Sequence, residues 1–256
     1  MRIAVLLFGQ PRDYNTGYKN INTFLSKQNA EVDFFYHCWT IEKDSKYEYA
    51  VAWSKATEDE LSFKDNIENT LEELYKPISK EYEMQISNFD TNLCIESLAY
   101  ENMFQNKIPH VFDKIRNLNG TLSQMYSRNK VSNLLKTHME KTGATYDFVL
   151  MTRFDLTFSP DMDLNVLDSS KMYVSGVHVP RKIILDKFII GPATVIITIS
   201  NLYEELADIV NNEELFEAVT SFGETLQLNL EDLIIAKYIL HYKNFDNVRY
   251  MSEITN

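Results

Sequence analysis

The chain has 256 residues, 45% hydrophobic and 24% charged, enough apolar side chain to bury a full core in a single domain spanning 1–256. Its 37 Asp and Glu against 25 Lys and Arg leave a net charge of -12, which argues against nucleic acid or an anionic membrane as the main partner, since both are held by surplus Lys and Arg. No apolar run reaches the roughly 18 to 20 residues of a membrane-spanning helix. Cys38 and Cys94 lack C-x-x-C spacing, so neither a disulfide framework nor a zinc site is expected, and a reducing cytoplasm fits.

In chain order, a basic residue and an apolar run open the sequence, and the run breaks at Gly9-Gln10-Pro11-Arg12 without a small-residue cleavage site. It reads as a first strand, Ile3 to Phe8, rather than a signal peptide. Val32 to Tyr36 is the second strand, and Ile41 to Lys55, polar and studded with aromatics, is either plain surface or a loop over a site. Glu58 to Leu74 carries Leu61, Ile67, Leu71 and Leu74 at helical spacing, and Tyr82 to Ile86 is a third strand. A long helix is expected after Asn119-Gly120, capped by Thr121 or Ser123 and ending at Lys141-Thr142-Gly143, with Leu122, Met125, Tyr126, Leu134, Leu135 and Met139 as its core stripe. Ser123, Ser127 and Lys130 fall on a separate face at i, i+4 and i+7, which either lines a cleft or is solvated.

Phe148 to Met151 reads as a strand covered on both faces, and Met172 to Val174, Lys187 to Ile190 and Val248 to Met251 are further strands. Val195 to Ser200 is β-branched yet leads into the helical Leu202 to Val210, so its assignment is ambiguous. Leu226 to Leu240 is helical through Leu230, Leu233, Ile234, Lys237 and Tyr238. Strands alternating with helices predict an α/β protein with a mostly parallel central sheet flanked by helices.

Three polar clusters follow apolar strands: Gly9-Gln10-Pro11-Arg12, His37-Cys38-Trp39 and Arg153-Phe154-Asp155. If those strands are parallel neighbours, the clusters share one sheet edge, where open α/β sheets bind ligands. A glycine admits close backbone approach, and an arginine offers a planar fork for phosphate or carboxylate. Arg153 and Asp155, one residue apart, either pair with each other or divide a diphosphate and its metal between them; Mg²⁺ or Mn²⁺ takes one or two carboxylates plus substrate phosphates. A haloacid-dehalogenase-type phosphatase is set aside because Arg153 stands where its nucleophilic Asp would be. There is no G-x-G-x-x-G, Walker A, H-E-x-x-H or G-x-S-x-G sequence. Of the histidines, His178 and His241 are candidates for a third metal contact.

Gly9-Gln10-Pro11-Arg12, Asp33 through Trp39, Ser123-Gln124-Met125-Tyr126-Ser127 and Tyr146 through Leu156 resemble GT-A type glycosyltransferases, in particular the small glycosyltransferases of chloroviruses and other large DNA viruses. Asp186 through Gly191 and Asn229 through Leu233 are similar to that family's later blocks. The resemblance implies a Rossmann-like GT-A domain that moves a monosaccharide from a nucleotide diphosphate sugar, UDP-linked, to a glycan acceptor, in the host cytoplasm if the chain is viral. It assigns the nucleotide sugar to Gly9, Gln10, Arg12, His37, Trp39, Ser127, Lys130, Arg153 and Phe154. Asp155 becomes the ligand of a divalent metal, Mn²⁺ or Mg²⁺, although Arg153 occupies the first acidic position of the D-x-D pattern. An inverting enzyme also needs a carboxylate base, with Asp186 the first choice and Glu231 the second. A retaining enzyme, a noncatalytic nucleotide-sugar or glycan binding module of the same fold, and a nucleotidyltransferase stay open, the last disfavoured by the absence of a glycine- and lysine-rich entry loop.

Overall fold

A computed structural model of the chain describes residues 1–40, 67–86, 88–105, 118–156, 162–175, 188–221, 230–242 and 248–250, with backbone alone at 102–105, 218–221, 230–232, 235, 239 and 250. Strand β1 (Arg2–Gly9) runs through the middle of a seven-stranded sheet, and Ile3 through Phe8 are without exposed surface. Such an unbroken apolar run suits a strand covered on both faces. β2 (Glu31–Thr40) and β4 (Phe148–Arg153) flank it, both parallel to it, and β3 (Ser79–Met84) lies parallel beyond β2 at the edge. On the far side of β4, β6 (Phe188–Gly191) runs antiparallel, followed by β5 (Met172–Val174), antiparallel to β6, and β7 (Val248–Tyr250), parallel to β5. The order is β3-β2-β1-β4-β6-β5-β7.

Helices cover both faces. α1 (Tyr14–Leu25) and α2 (Ile67–Tyr75) close one face through Ile21, Phe24, Leu25, Leu71 and Tyr75 over Ile3, Val5, Leu7 and Leu150. The opposite face carries the short α3 (Asn92–Ile95) and α4 (Leu98–Gln105), the long α5 (Leu118–Thr142), then α6 (Ala193–Ser200), α7 (Leu206–Val210), α8 (Glu213–Ser221) and α9 (Leu230–Tyr242). Their apolar residues pack on Ala4, Leu6, Phe8, Phe35, Val149 and Met151. Among the described residues no helix is long and apolar enough to cross a membrane.

Each expected strand is present, Met172–Val174 with the expected bounds, while the expected ends Lys187 and Met251 lie outside the described residues. β2 continues to Thr40 because His37, Cys38 and Trp39 are buried and pair with β3, which itself starts earlier, at Ser79. α5 is already helical at Leu118, where the described residues resume, ahead of the expected cap, and it includes Gly120. Val195 to Ser200 is helical: burial of Ile196 and Ile199 against the sheet outweighs the β-preference of a β-branched run. α1 has no counterpart among the expected helices. Residues 41–66, which hold the expected loop and the start of the second helix, lie outside the described residues, as does the start of the helix expected from Leu226.

Candidate functional site

The chain runs β1 to β2 to β3 in one direction and then returns to place β4 on the other side of β1. The order therefore reverses between β1 and β4, and in open α/β sheets the crevice at the carboxyl ends of two such strands is where ligands bind. Phe8 pairs with His37 on one side and with Arg153 on the other. Cross-strand partners share a face, so His37 and Arg153 flank Phe8 on the face covered by α5. The three polar clusters meet at one sheet edge.

β1 ends at Gly9, whose φ of 93° is disfavoured for residues with a β-carbon. The Gly9 N–H turns inward and donates to Ser127 Oγ at 2.8 Å. Beyond it, the Arg12 N–H donates to the Gln10 carbonyl at 2.9 Å, and Arg12 Nε donates to Gln10 Oε1 at 2.8 Å. Gln10 Nε2 donates in turn to Gln85 Oε1 at 3.1 Å, and Gln85 Nε2 reaches Ser123 Oγ at 3.1 Å. Asp13 in left-handed conformation (φ 40°) then turns the chain into α1 as its N-cap residue, without a side-chain capping hydrogen bond. This strand-turn-helix unit puts backbone N–H groups where α/β folds hold phosphates.

The polar row of α5 faces the sheet edge. Ser127 Oγ lies 2.7 Å from His37 Nδ1, and both residues are fully buried. Lys130 Nζ donates to Glu81 at 2.9 Å and to Glu83 at 2.6 Å. Burial works against the Lys130 ammonium, but its hydrogen bonds to Glu83 and Glu81 outweigh that and raise its pKa. Burial likewise disfavours the Glu83 carboxylate, yet Lys130 and the Tyr126 hydroxyl hold its pKa down to about 2. His37 is pushed down to about 4 by burial, against the pull of Glu83, so its ring is neutral at neutral pH. Trp39 is buried and stacks on Tyr126, ring centroids 5.4 Å apart.

Across the crevice, Arg153 and Asp155 form a two-point ion pair, Nε to Oδ1 at 2.8 Å and Nη2 to Oδ2 at 2.9 Å. Phe154 between them points to the opposite face, where its ring packs edge-on against Tyr36 and Tyr75 without exposed surface. Its contribution to a bound ligand is limited to the backbone. Both Asp155 oxygens are engaged by Arg153, and among the described residues no group of three His, Cys, Asp or Glu side chains is placed to hold a metal ion. The described donor set does not fit a protein-held cation. A divalent ion here would have to displace Arg153 and draw its other ligands from substrate phosphates.

Of the remaining expected residues, Asp186 and His178 lie outside the described residues, and Glu231 is in the first turn of α9. His241, at the other end of α9, lies 3.6 Å from Glu205, which also pairs with Lys237. Sequence reasoning did not single out Glu81, Glu83 and Gln85, although their alternation on β3 and just past it is a period-2 signal for one shared face. Nor did it single out Arg128, whose buried guanidinium sits 4.3 Å from the Phe8 ring centroid. An open recess lined by Met1, Arg2, Asn29, Ala30, Glu31 and Asp147 lies at the opposite, amino-terminal end of the sheet, away from this chemistry.

At this end of the sheet Lys130 thus pairs with Glu81 and Glu83 and Arg153 with Asp155, while Arg12 bonds Gln10 and Arg128 lies over Phe8. Compared with models of known protein families and with curated proteins, the chain matches none.

Proposed function

We propose that the chain binds a nucleoside diphosphate sugar, UDP-linked, across the crevice between β1 and β4 and transfers its monosaccharide to a hydroxyl of a glycan acceptor, as a GT-A type glycosyltransferase. The observation that carries this reading is the placement of Gly9–Arg12 and Arg153–Asp155 on the two sides of the switch point. A strand-turn-helix loop with an arginine on one side and a second arginine on the other suits a diphosphate, whose charge grows as it leaves. In the transfer, the bond from the anomeric carbon to the diphosphate oxygen breaks, a bond from the acceptor oxygen to that carbon forms, and the acceptor proton passes to a carboxylate. Asp186 is the first candidate for that base and Glu231 the second, and no step is routed through a metal. Side-by-side turnover of Asp186→Asn and Glu231→Gln assigns the role: loss of the base lowers kcat by about a hundredfold or more and leaves donor affinity near normal.

A noncatalytic nucleotide-sugar binding module is the second reading. The closed Arg153–Asp155 pair favours it, since each group already neutralises the other. A thermal-shift screen of nucleotide sugars with and without Mn²⁺, followed by detection of transferred sugar on glycan acceptors, separates the two. A donor at a hundred times its Kd stabilises the fold by about 2.7 kcal/mol. Stabilisation with turnover supports the enzyme, stabilisation without turnover supports the module, and no stabilisation by any nucleotide sugar or by UDP overturns both.

A further inference from the structure

Ser127 and His37 are buried, so neither side chain touches a ligand in the crevice, yet both connect to the loop that lines it. Ser127 Oγ accepts the Gly9 N–H at 2.8 Å and lies 2.7 Å from His37 Nδ1. A hydroxyl has one proton to give, and among the described residues the acceptor placed to take it is His37 Nδ1. The imidazole proton is then on Nε2, which lies 3.5 Å from the Glu83 carboxylate, an electrostatic contact without hydrogen-bond geometry. Glu83 is itself anchored by Lys130 at 2.6 Å, and Lys130 by Glu81. With His37 neutral and its proton on Nε2, the donors from Gly9 through Ser127 to His37 point one way, while Lys130 donates to Glu83 from the opposite side.

We infer that Ser127 and His37 are positioning residues: the hydrogen-bonded run Gly9 N–H, Ser127 Oγ and His37 imidazole, with the Glu83–Lys130 ion pair facing the far side of the ring, locks the left-handed turn at Gly9 and so presets the Gln10–Arg12 loop for the diphosphate. The inference rests on the nucleotide reading of the crevice for its ligand, but not for its geometry. The Gly9 amide is consumed by the interior, Pro11 has no N–H and the Arg12 N–H is given to the Gln10 carbonyl, so the loop meets phosphate through the Gln10 N–H and the Arg12 guanidinium, in a shape set before any ligand arrives. Preorganisation of this kind strengthens binding by removing the ordering cost.

The experiment uses the full chain labelled with ¹⁵N. Imidazole nitrogen shifts of His37 at neutral pH are expected to show a bare Nδ1 and a protonated Nε2, and the Gly9 amide is expected to exchange slowly with solvent. In Ser127→Ala the Gly9 amide exchanges faster and UDP binds about tenfold more weakly by calorimetry, the worth of one preorganising hydrogen bond. Ser127→Thr, which keeps the hydroxyl, restores both. A proton on Nδ1 in the unmodified protein overturns the relay, and so does a Ser127→Ala protein with unchanged Gly9 exchange. If UDP fails to bind the unmodified protein, the nucleotide reading falls, while the tautomer and the Gly9 exchange still decide the relay. A Ser127→Thr variant that does not fold leaves the decision with the tautomer and with Ser127→Ala.

Discussion

The Cα of Gly17 in α1 rests against the backbone of the strand end that bears Asp155: a β-carbon built on Gly17 would stand 1.6 Å from the Phe154 carbonyl oxygen and 3.3 Å from the Asp155 Cα. No side chain fits in that gap, so α1 is keyed to the segment that holds one wall of the crevice. Gly17→Ala must push the helix off the sheet or bend the Phe154–Asp155 backbone, and overpacking of this severity costs about 3 kcal/mol. Gly120, in α5, is the control, because a β-carbon there meets nothing within 4 Å. Gly120→Ala is expected to gain roughly 0.5 to 1 kcal/mol from lost backbone freedom in the unfolded chain. Urea unfolding of both variants checks the contrast, and an undiminished midpoint for Gly17→Ala would show that α1 is seated elsewhere.

Asp155→Ala is expected to abolish sugar transfer and leave the fold intact. The Arg153–Asp155 pair is partly open to solvent, and exposed pairs of this kind are worth at most about 1 kcal/mol. Arg153→Lys keeps the charge but loses the fork, and UDP affinity is expected to drop by about tenfold. Normal turnover by folded Asp155→Ala removes it from the chemistry, and unchanged UDP affinity in Arg153→Lys reduces that residue to a partner of Asp155.

Acid should weaken the fold in two steps that share one sign. The folded-state pKa of His37 is lowered to about 4 from 6.5, so the unfolded chain binds its proton first as pH falls. Its stabilising contribution is whole above 6.5 and declines between 6.5 and about 4. For a fully buried ring this amounts to a loss on the order of 3 kcal/mol. Glu83 is held at about 2 against 4.5, so its contribution is present above 4.5 and fades as pH falls toward 2. Denaturation midpoints at pH 7, 5.5 and 4 should therefore fall in order for the unmodified protein and more shallowly for His37→Gln.

Lys237 is fully buried on α9 with its ammonium on the Glu205 carboxylate, and Glu205 also accepts from Asn201, which bonds Asn129 of α5. Removing the carboxylate strands a buried cation. Glu205→Ala is expected to cost about 3 kcal/mol or more, whereas the pair Lys237→Met with Glu205→Gln, which buries no charge, recovers most of it. A double variant no more stable than Glu205→Ala would assign the loss to packing rather than to the orphaned charge.

Much of the architecture is written in local patterns. Ile3 to Phe8 and Phe148 to Met151 are short, apolar on both faces and bounded by polar breaks, and such runs can be satisfied only as covered strands; the alternation of strands with helical stretches then makes the sheet largely parallel. The sharing of one edge by Gly9, His37 and Arg153 then requires only that their strands be parallel neighbours, which the pairing of β1 with β2 and β4 provides. The helix Tyr14–Leu25 escaped notice because Gly17, Asn20 and Asn22 dilute its apolar spacing around Ile21, Phe24 and Leu25, and its seat is a backbone contact that leaves no hydrophobic signature.

What the sequence by itself determined is therefore the class of fold, the strand segments and the polar clusters at their carboxyl ends, all properties carried by short-range pattern, while the adjacency that joins those clusters on one edge came from the tertiary structure. Partnerships across long loops needed the tertiary structure. Ser127 meets Gly9 across 118 residues and Lys130 meets Glu83 across 47, and nothing in either local pattern distinguishes those side chains from a solvated helix face. The antiparallel turn of β6 and its position between β4 and β5 were decided in the same way. Four-residue and three-residue strands carry too little alternation to specify direction, and the core that β6 completes with Ile189 on one face and Ile190 on the other selects it.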